Sequence, residues 1–175
     1  QHLRQVQAAA GGRLTINGTD WTHYSAQIPA NSQGLNVLNI PCRRKSIKSV
    51  LFVGASQTYG AMPAQSLIYN LSAGGHCEID EYWLKVGQTN IPETPIQCNF
   101  SHAFGAMGVD IEAFQPDGKG GGALESGIDS ATRSLPITLN VRTGAALAEA
   151  MVVDMYVVYD SIYWIDQGGN LQVSM

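Results

Sequence analysis

The side chains able to do chemistry in this chain are few and scattered. Four histidines, His2, His23, His76 and His102, sit far apart in sequence and fall on different elements. The tightest grouping of metal-ligating types is His76-Cys77-Glu78, but adjacent residues of an extended segment point to opposite faces. The trio therefore reads as a rim histidine beside a buried thiol, and no metal site is expected. Glu78 and Asp80, at i and i+2, share one face of a strand and could supply paired carboxylates; a solvated outer face is the plainer reading, as it is for Asp80-Glu81. Asp154 interrupts an apolar run, so its carboxylate must be hydrogen-bonded, paired or at an interface. Arg142 and Arg133 are the expected partners. Trp83, Trp164, Tyr163 and Tyr82 could stack on pyranose rings, although core or subunit-interface packing suits them better in a chain of such low charge. No G-x-S-x-G, H-E-x-x-H or G-x-x-x-x-G-K-[ST] occurs, and Gly118-Lys119-Gly120-Gly121-Gly122 lacks the spacing of a phosphate loop. No catalytic residue, cofactor site or metal site is expected.

The composition points the same way. In 175 residues, enough for one domain with a sizeable core, hydrophobic residues make up 45% and charged residues 14%. A globular protein usually carries about 25% charged residues, so much of this surface is neutral or apolar, as suits a subunit covered by neighbours. A net charge of −4 argues against a nucleic-acid footprint; the basic cluster Arg43-Arg44-Lys45 with Lys48 reads as a solvated loop and strand edge. No segment approaches the roughly 18 consecutive apolar residues of a membrane span, and residues 1–12 lack the apolar core of a signal peptide. Cys42, Cys77 and Cys98 cannot all pair and form no C-x-x-C, so they are expected to be reduced thiols of a cytosolic or nuclear protein.

The elements that would position these residues are short and β-rich. Residues 1–12 are expected to be an arm or linker, and residues 13–175 a single domain. Leu14-Thr15-Ile16 followed by Asn17-Gly18 predicts a hairpin into residues 21–28. Residues 34–40, 46–54, 77–86 and 134–141 read as strands, with residues 87–90 as a turn. Residues 91–96 carry Pro92 and Pro95 and are expected to lie outside any sheet. Phe100, Ala103, Phe104 and Met107, at i, i+3, i+4 and i+7, predict a helix over residues 99–107. Residues 115–130 are a glycine-rich loop. At the C terminus, residues 151–159 and 162–165 form a β-branched and aromatic run that turns at Gln167-Gly168-Gly169-Asn170 into residues 171–175, a strong hairpin signal. Deleting residues 168–175 is expected to unpair an inner strand and abolish folding. The pattern predicts an all-β fold, an antiparallel eight-stranded jelly-roll sandwich with one or two short helices in the connections.

Four stretches, in this order, resemble a known family: IPCRRKSIKSVLFVG at residues 40–54, EYWLKVGQTNIPETPIQ at residues 81–97, FSHAFGAMG at residues 100–108 and YVVYDSIYWIDQGGNLQVSM at the end. The basic strand Lys45-Ser46-Ile47-Lys48-Ser49, the strand Tyr82-Trp83-Leu84-Lys85-Val86-Gly87, the Ile91-Pro92 turn and Tyr159-Asp160 before a closing hairpin are similar to the C-terminal jelly roll of double jelly-roll major capsid proteins of adenovirus-like and polinton- or virophage-like DNA viruses. The resemblance covers residues 34–175. It implies a capsid structural protein without catalysis, located in the virion after assembly in the host cytoplasm or nucleus. It also implies self-association into trimers or larger capsomers, contact with other capsid proteins, and no sequence-specific contact with nucleic acid. The family's chain carries two jelly rolls, so this sequence corresponds either to one half of such a protein or to a stand-alone single jelly roll. Tyr59, Tyr69, Phe114 and Arg133 are the expected subunit-contact residues. A carbohydrate-binding β-sandwich is the alternative from a different class; a cupin-type enzyme is disfavoured because the histidines are not clustered.

Overall fold

The computed structural model describes residues 14–56, 79–98, 106–111, 127–131, 134–147, 149–166 and 169–174. Nine strands follow in order: β1 (Leu14–Ile28), β2 (Gly34–Ile40), β3 (Ile47–Ser56), β4 (Ile79–Val86), β5 (Thr89–Gln97), β6 (Ala106–Asp110), β7 (Ile137–Thr143), β8 (Met151–Ile165) and β9 (Leu171–Ser174). One sheet runs β1-β8-β3-β6 with β9 appended to β8, and the other runs β2-β7-β4-β5. The antiparallel partners β1 with β8, β2 with β7, β3 with β6 and β4 with β5 are those of one long hairpin of four strands against four. Additional pairing of β3 with β8 and β4 with β7 rolls that hairpin into two facing sheets. This is the jelly roll expected from the pattern. Among the described residues there is one strand more than the expected eight, the four-residue β9.

Alternation along β8 drives the roll. Met151, Val153, Met155, Val157 and Tyr159 point inward and are buried, while the residues between them face out. From the other sheet Leu84, Ile137, Leu139 and Val141 meet them. At the centre Phe52 and Tyr82 pack edge to face, their rings 4.9 Å apart. Each fully buried aliphatic or aromatic side chain contributes on the order of 1.5–3 kcal/mol relative to exposure, so this two-sided core is the main source of stability.

Several local expectations change. Asn17-Gly18 does not turn: β1 runs straight through it, paired with β8 at every position from Leu14 to Ile28. The glycine answers a different need, because a Cβ there would lie 2.8 Å from the Tyr163 ring, which crosses the strand at that point. Pro92 and Pro95 lie within β5 after all. That strand is an edge, and its register with β4 shifts between Tyr82 and Leu84, so residues 92–95 bulge where no ladder N–H is required. Ala106 and Met107, expected to end a helix, belong to β6 and pair with Val53 and Phe52; tertiary pairing overrides the helical spacing. The remainder of that segment, residues 99–105, lies outside the described residues. Among the described residues there is no helix, hence none that could cross a membrane.

The two sheets differ in length. β1 and β8 each hold 15 residues while β2 and β7 hold 7, a difference in strand length of about 27 Å at about 3.4 Å per residue, and the end of β8 beyond Ser161 overhangs the buried core. β9 pairs only with that overhang, Ile162 to Ile165, and its Leu171 and Val173 stay exposed. Removing residues 168–175 would therefore leave β8 still paired with β1 over its whole length and with β3 over its buried half. The inner strand expected to be orphaned keeps both of its main partners.

Candidate functional site

The outward positions of the five-stranded sheet, one row per register step, build a continuous surface. Trp21 sits opposite Val158 and then Ser49; His23 sits opposite Tyr156 and then Leu51; Ser25 sits opposite Asp154 and then Val53. Trp21 is 59% exposed and Leu51 49%. The Tyr156 ring lies between two neighbours, 5.6 Å from the Trp21 ring and 5.0 Å from His23. His23 Nε2 donates to Asp154 Oδ1 at 2.9 Å. Asp154 thus finds a partner across the strand pair in His23 and not in Arg142, while Arg133 lies outside the described residues; with both side chains near half exposed the pair is worth little by itself. Its effect is to hold the carboxylate beside the aromatic rings.

The opposite side of the sandwich is also apolar in part. On β2, Leu35 is 51% and Val37 57% exposed. Their cross-strand neighbours are Arg142 and Asn140, followed on β4 by Glu81 and Trp83. Arg142 Nε donates to Glu81 Oε1 at 2.9 Å, and Gln97 Nε2 donates to Glu81 Oε2 at 2.7 Å.

Between these faces a polar knot fixes the rim. Asp160 accepts from Ser46 Oγ at 2.7 Å and from Lys48 Nζ at 2.9 Å, with its own side chain only 9% exposed. Its backbone N–H donates to Ser46 O at 3.0 Å, and Gly127 N–H donates to Ser46 Oγ at 3.1 Å. The Arg44 guanidinium lies 4.6 Å from the centre of the Tyr159 ring. Ser130, fully buried, receives the Arg44 N–H and donates to Cys42 O. Tyr159-Asp160 and the basic segment, two of the stretches behind the family resemblance, thus meet in space, and two of the four basic residues are structural contacts. Arg43 and Lys45 are exposed.

The chemistry these groups could do is limited. Burial raises the Cys42 thiol above its usual value. Burial, reinforced by the Asp80 carboxylate, does the same for Cys98, so neither is poised as a thiolate nucleophile. Both are free thiols; Cys77 lies outside the described residues. Tyr24 is pushed up to about 12, first by burial and then by Cys42. Among the described residues no three His, Cys, Asp or Glu side chains are grouped to hold a metal ion. His2, His76, Glu78 and His102 lie outside those residues, as do the expected contact residues Tyr59, Tyr69, Phe114 and Arg133.

The four aromatics that could have formed a sugar platform are dispersed. Tyr82 is in the core, Trp83 is on the outer face of the four-stranded sheet, and Trp164 and Tyr163 lie on opposite faces of the overhang. The grouping that does form, Trp21 with His23 and Tyr156, comes from strands 131 or more residues apart along the chain in the case of the His23–Asp154 contact. Its one sequence signal is the alternation of polar and aromatic residues in β1, which marks outward positions without naming their neighbours.

No protein-family model matches the chain, and no curated protein matches it. Among solved structures it is similar to PBCV-1 VP54, a crystal structure fitted into a cryo-EM reconstruction of the virophage Sputnik, with a TM-score of 0.59 and 10% sequence identity over 98% of this chain and 54% of that one. It is similar also to a chain of the PBCV-1 virus capsid, with a TM-score of 0.52 and 11% identity over the same shares. The likeness shows the fold, a jelly roll of the kind that double jelly-roll major capsid proteins carry. The chain spans about half the length of the solved chains it matches.

Proposed function

We propose that this chain is a capsid structural protein, or the jelly-roll portion of one, whose activity is assembly into capsomers of an icosahedral shell. The observation that carries the reading is the structural similarity of nearly the whole chain to about half of a PBCV-1 VP54 chain and of a chain of the PBCV-1 virus capsid. The surface supports it: with charged residues at 14%, the outer faces of both sheets leave large apolar side chains in contact with solvent, the state expected of faces that neighbours cover. On this reading the chain self-associates into trimers or larger capsomers, contacts other capsid proteins, resides in the virion after assembly in the host cytoplasm or nucleus, and catalyses nothing. Tyr59, Tyr69, Phe114 and Arg133 remain proposed contact residues.

Sedimentation velocity and electron microscopy of the purified chain test this directly. The expected result is a trimer or larger ring-shaped species at micromolar concentration. A clean monomer that is retained on an immobilised glycan would overturn the reading in favour of a carbohydrate-binding module.

A further inference from the structure

The two apolar outer faces are unlike each other and point in opposite directions, because they belong to the two sheets of one sandwich. We infer that they are the two halves of one head-to-tail contact, in which the outer face of the β1-β8-β3 sheet of one copy docks on the outer face of the β2-β7-β4 sheet of the next. The inference rests on the capsid reading above and names the surface through which that assembly is made.

Three observations commit the occupant to a second copy of this chain. Both faces are present on every copy, so each can supply what the other requires. Trp21 and Leu51 project from one face and Leu35 and Val37 from the other, each side chain about half exposed or more. The charges also differ in sign. The first face carries the carboxylates of Asp154 and Asp110, one in the row on each side of the Tyr156–Leu51 row. The second carries the Arg142–Glu81 ion pair, with Gln97 also on Glu81, and Lys85 as its excess cation. An isologous dimer would cover one face twice and leave the other bare. A heterologous contact covers both, and it closes into a ring when the rotation per step divides the circle. A glycan would need only the Trp21 side, leaving Leu35 and Val37 without a role.

The test uses the full chain carrying acidic pairs on one face at a time: Trp21→Asp with Leu51→Asp, and Leu35→Asp with Val37→Asp. All four positions are solvent-facing, so each variant should keep the wild-type circular dichroism and melting profile; serine versions of the same pairs serve if an aspartate version does not fold. By mass photometry the wild type is expected to form a trimer or larger species and each variant a monomer. An equimolar mixture of the two variants should form a one-to-one dimer and stop there, because it retains a single intact pairing of faces. If the wild type assembles while either variant assembles equally well, or if the mixture stays monomeric, the inference is overturned and the capsid reading stands. A wild type that is monomeric at about 100 μM overturns the capsid reading itself. Loss of glycan retention in the Trp21 variant, with unchanged assembly state, assigns that face to a sugar.

Discussion

Replacing Asp160 by alanine should destabilise the fold far more than a surface charge would, and the structure allows the size to be worked out. The carboxylate is 9% exposed and holds two donors, the Ser46 hydroxyl at 2.7 Å and the Lys48 ammonium at 2.9 Å. A hydrogen bond to a charged group contributes about 1.5–3 kcal/mol. An exposed ion pair contributes about 0–1 kcal/mol, whereas breaking a fully buried one costs about 3–5 kcal/mol. With Lys48 at 24% exposure the pair lies between these limits. Asp160→Ala also leaves the Ser46 hydroxyl proton without its acceptor, although its oxygen still receives the Gly127 N–H, in a residue only 2% exposed. The expected loss is about 3 kcal/mol, which for a chain of this size lowers Tm by roughly 6–12 °C. Asp160→Asn keeps an acceptor for Ser46 and should cost about half as much. Urea denaturation of both variants, of Lys48→Met and of the double variant Asp160→Asn with Lys48→Met provides the coupling energy, expected at about 1 kcal/mol or more. A loss below about 0.5 kcal/mol for Asp160→Ala, or zero coupling, would show that the knot does not hold the rim and that β3 and β8 are registered by their apolar faces alone.

Phe52→Ala, at a fully buried ring packed on Tyr82, should cost about 3–5 kcal/mol, read as a shift in the urea midpoint without a change in slope. Deleting residues 168–175 should leave a soluble, cooperatively folding protein weakened by about 1–2 kcal/mol, since Leu171 and Val173 bury little; failure to recover folded protein would place β9 in the essential ladder. Cys42 and Cys98, whose thiols burial keeps protonated at neutral pH, should alkylate slowly with iodoacetamide at pH 8 in the native state and rapidly in guanidinium, as mapped by mass spectrometry. Tyr24, held neutral to about 12 against an ordinary value of 10.0, binds its proton more tightly folded than unfolded, so stability should fall as pH rises from about 10 to about 12. Absorbance titration of Tyr24→Phe against the wild type would remove one late-titrating phenol; an unchanged curve would refute the assignment.

What was legible beforehand was whatever is local and periodic. The alternation in residues 34–40 and 77–86 marks strands and their buried faces, and the Gly-rich turn before Leu171 marks the last hairpin, because both signals are carried by residues close in sequence; the apolar run over residues 151–165 marks a strand but suggests burial on both faces, where the structure buries alternate residues. What was not legible depended on distant partners. Gly18 looks like a turn until Tyr163 is laid across it; Pro92 and Pro95 look incompatible with a sheet until the strand is known to be an edge with a bulge. Phe100, Ala103, Phe104 and Met107 suggest a helix, yet Met107 is claimed by Phe52 across a ladder. Asp154 was recognisably a carboxylate needing a partner, and the partner proved to be His23, over a hundred residues away.

The same distinction explains why the candidate interface escaped a reading by motif. Catalytic sites announce themselves through residue types held at fixed spacing, whereas a docking face is assembled by register. Trp21, Tyr156 and Leu51 become neighbours only because β8 lies between β1 and β3. Each alone is an ordinary exposed apolar residue of the kind every surface carries; their continuity across three strands is what calls for an explanation. A chain that spent these positions on solubility would place Lys or Glu in them, as sheet proteins do to discourage association. Here the outward rows keep Trp, Tyr, Val and Leu, and the balance of charge differs in sign, with the carboxylates Asp154 and Asp110 on one face and Lys85 beside the Arg142–Glu81 pair on the other. That division gives the contact a direction, face to back, which apolar burial alone would leave unspecified.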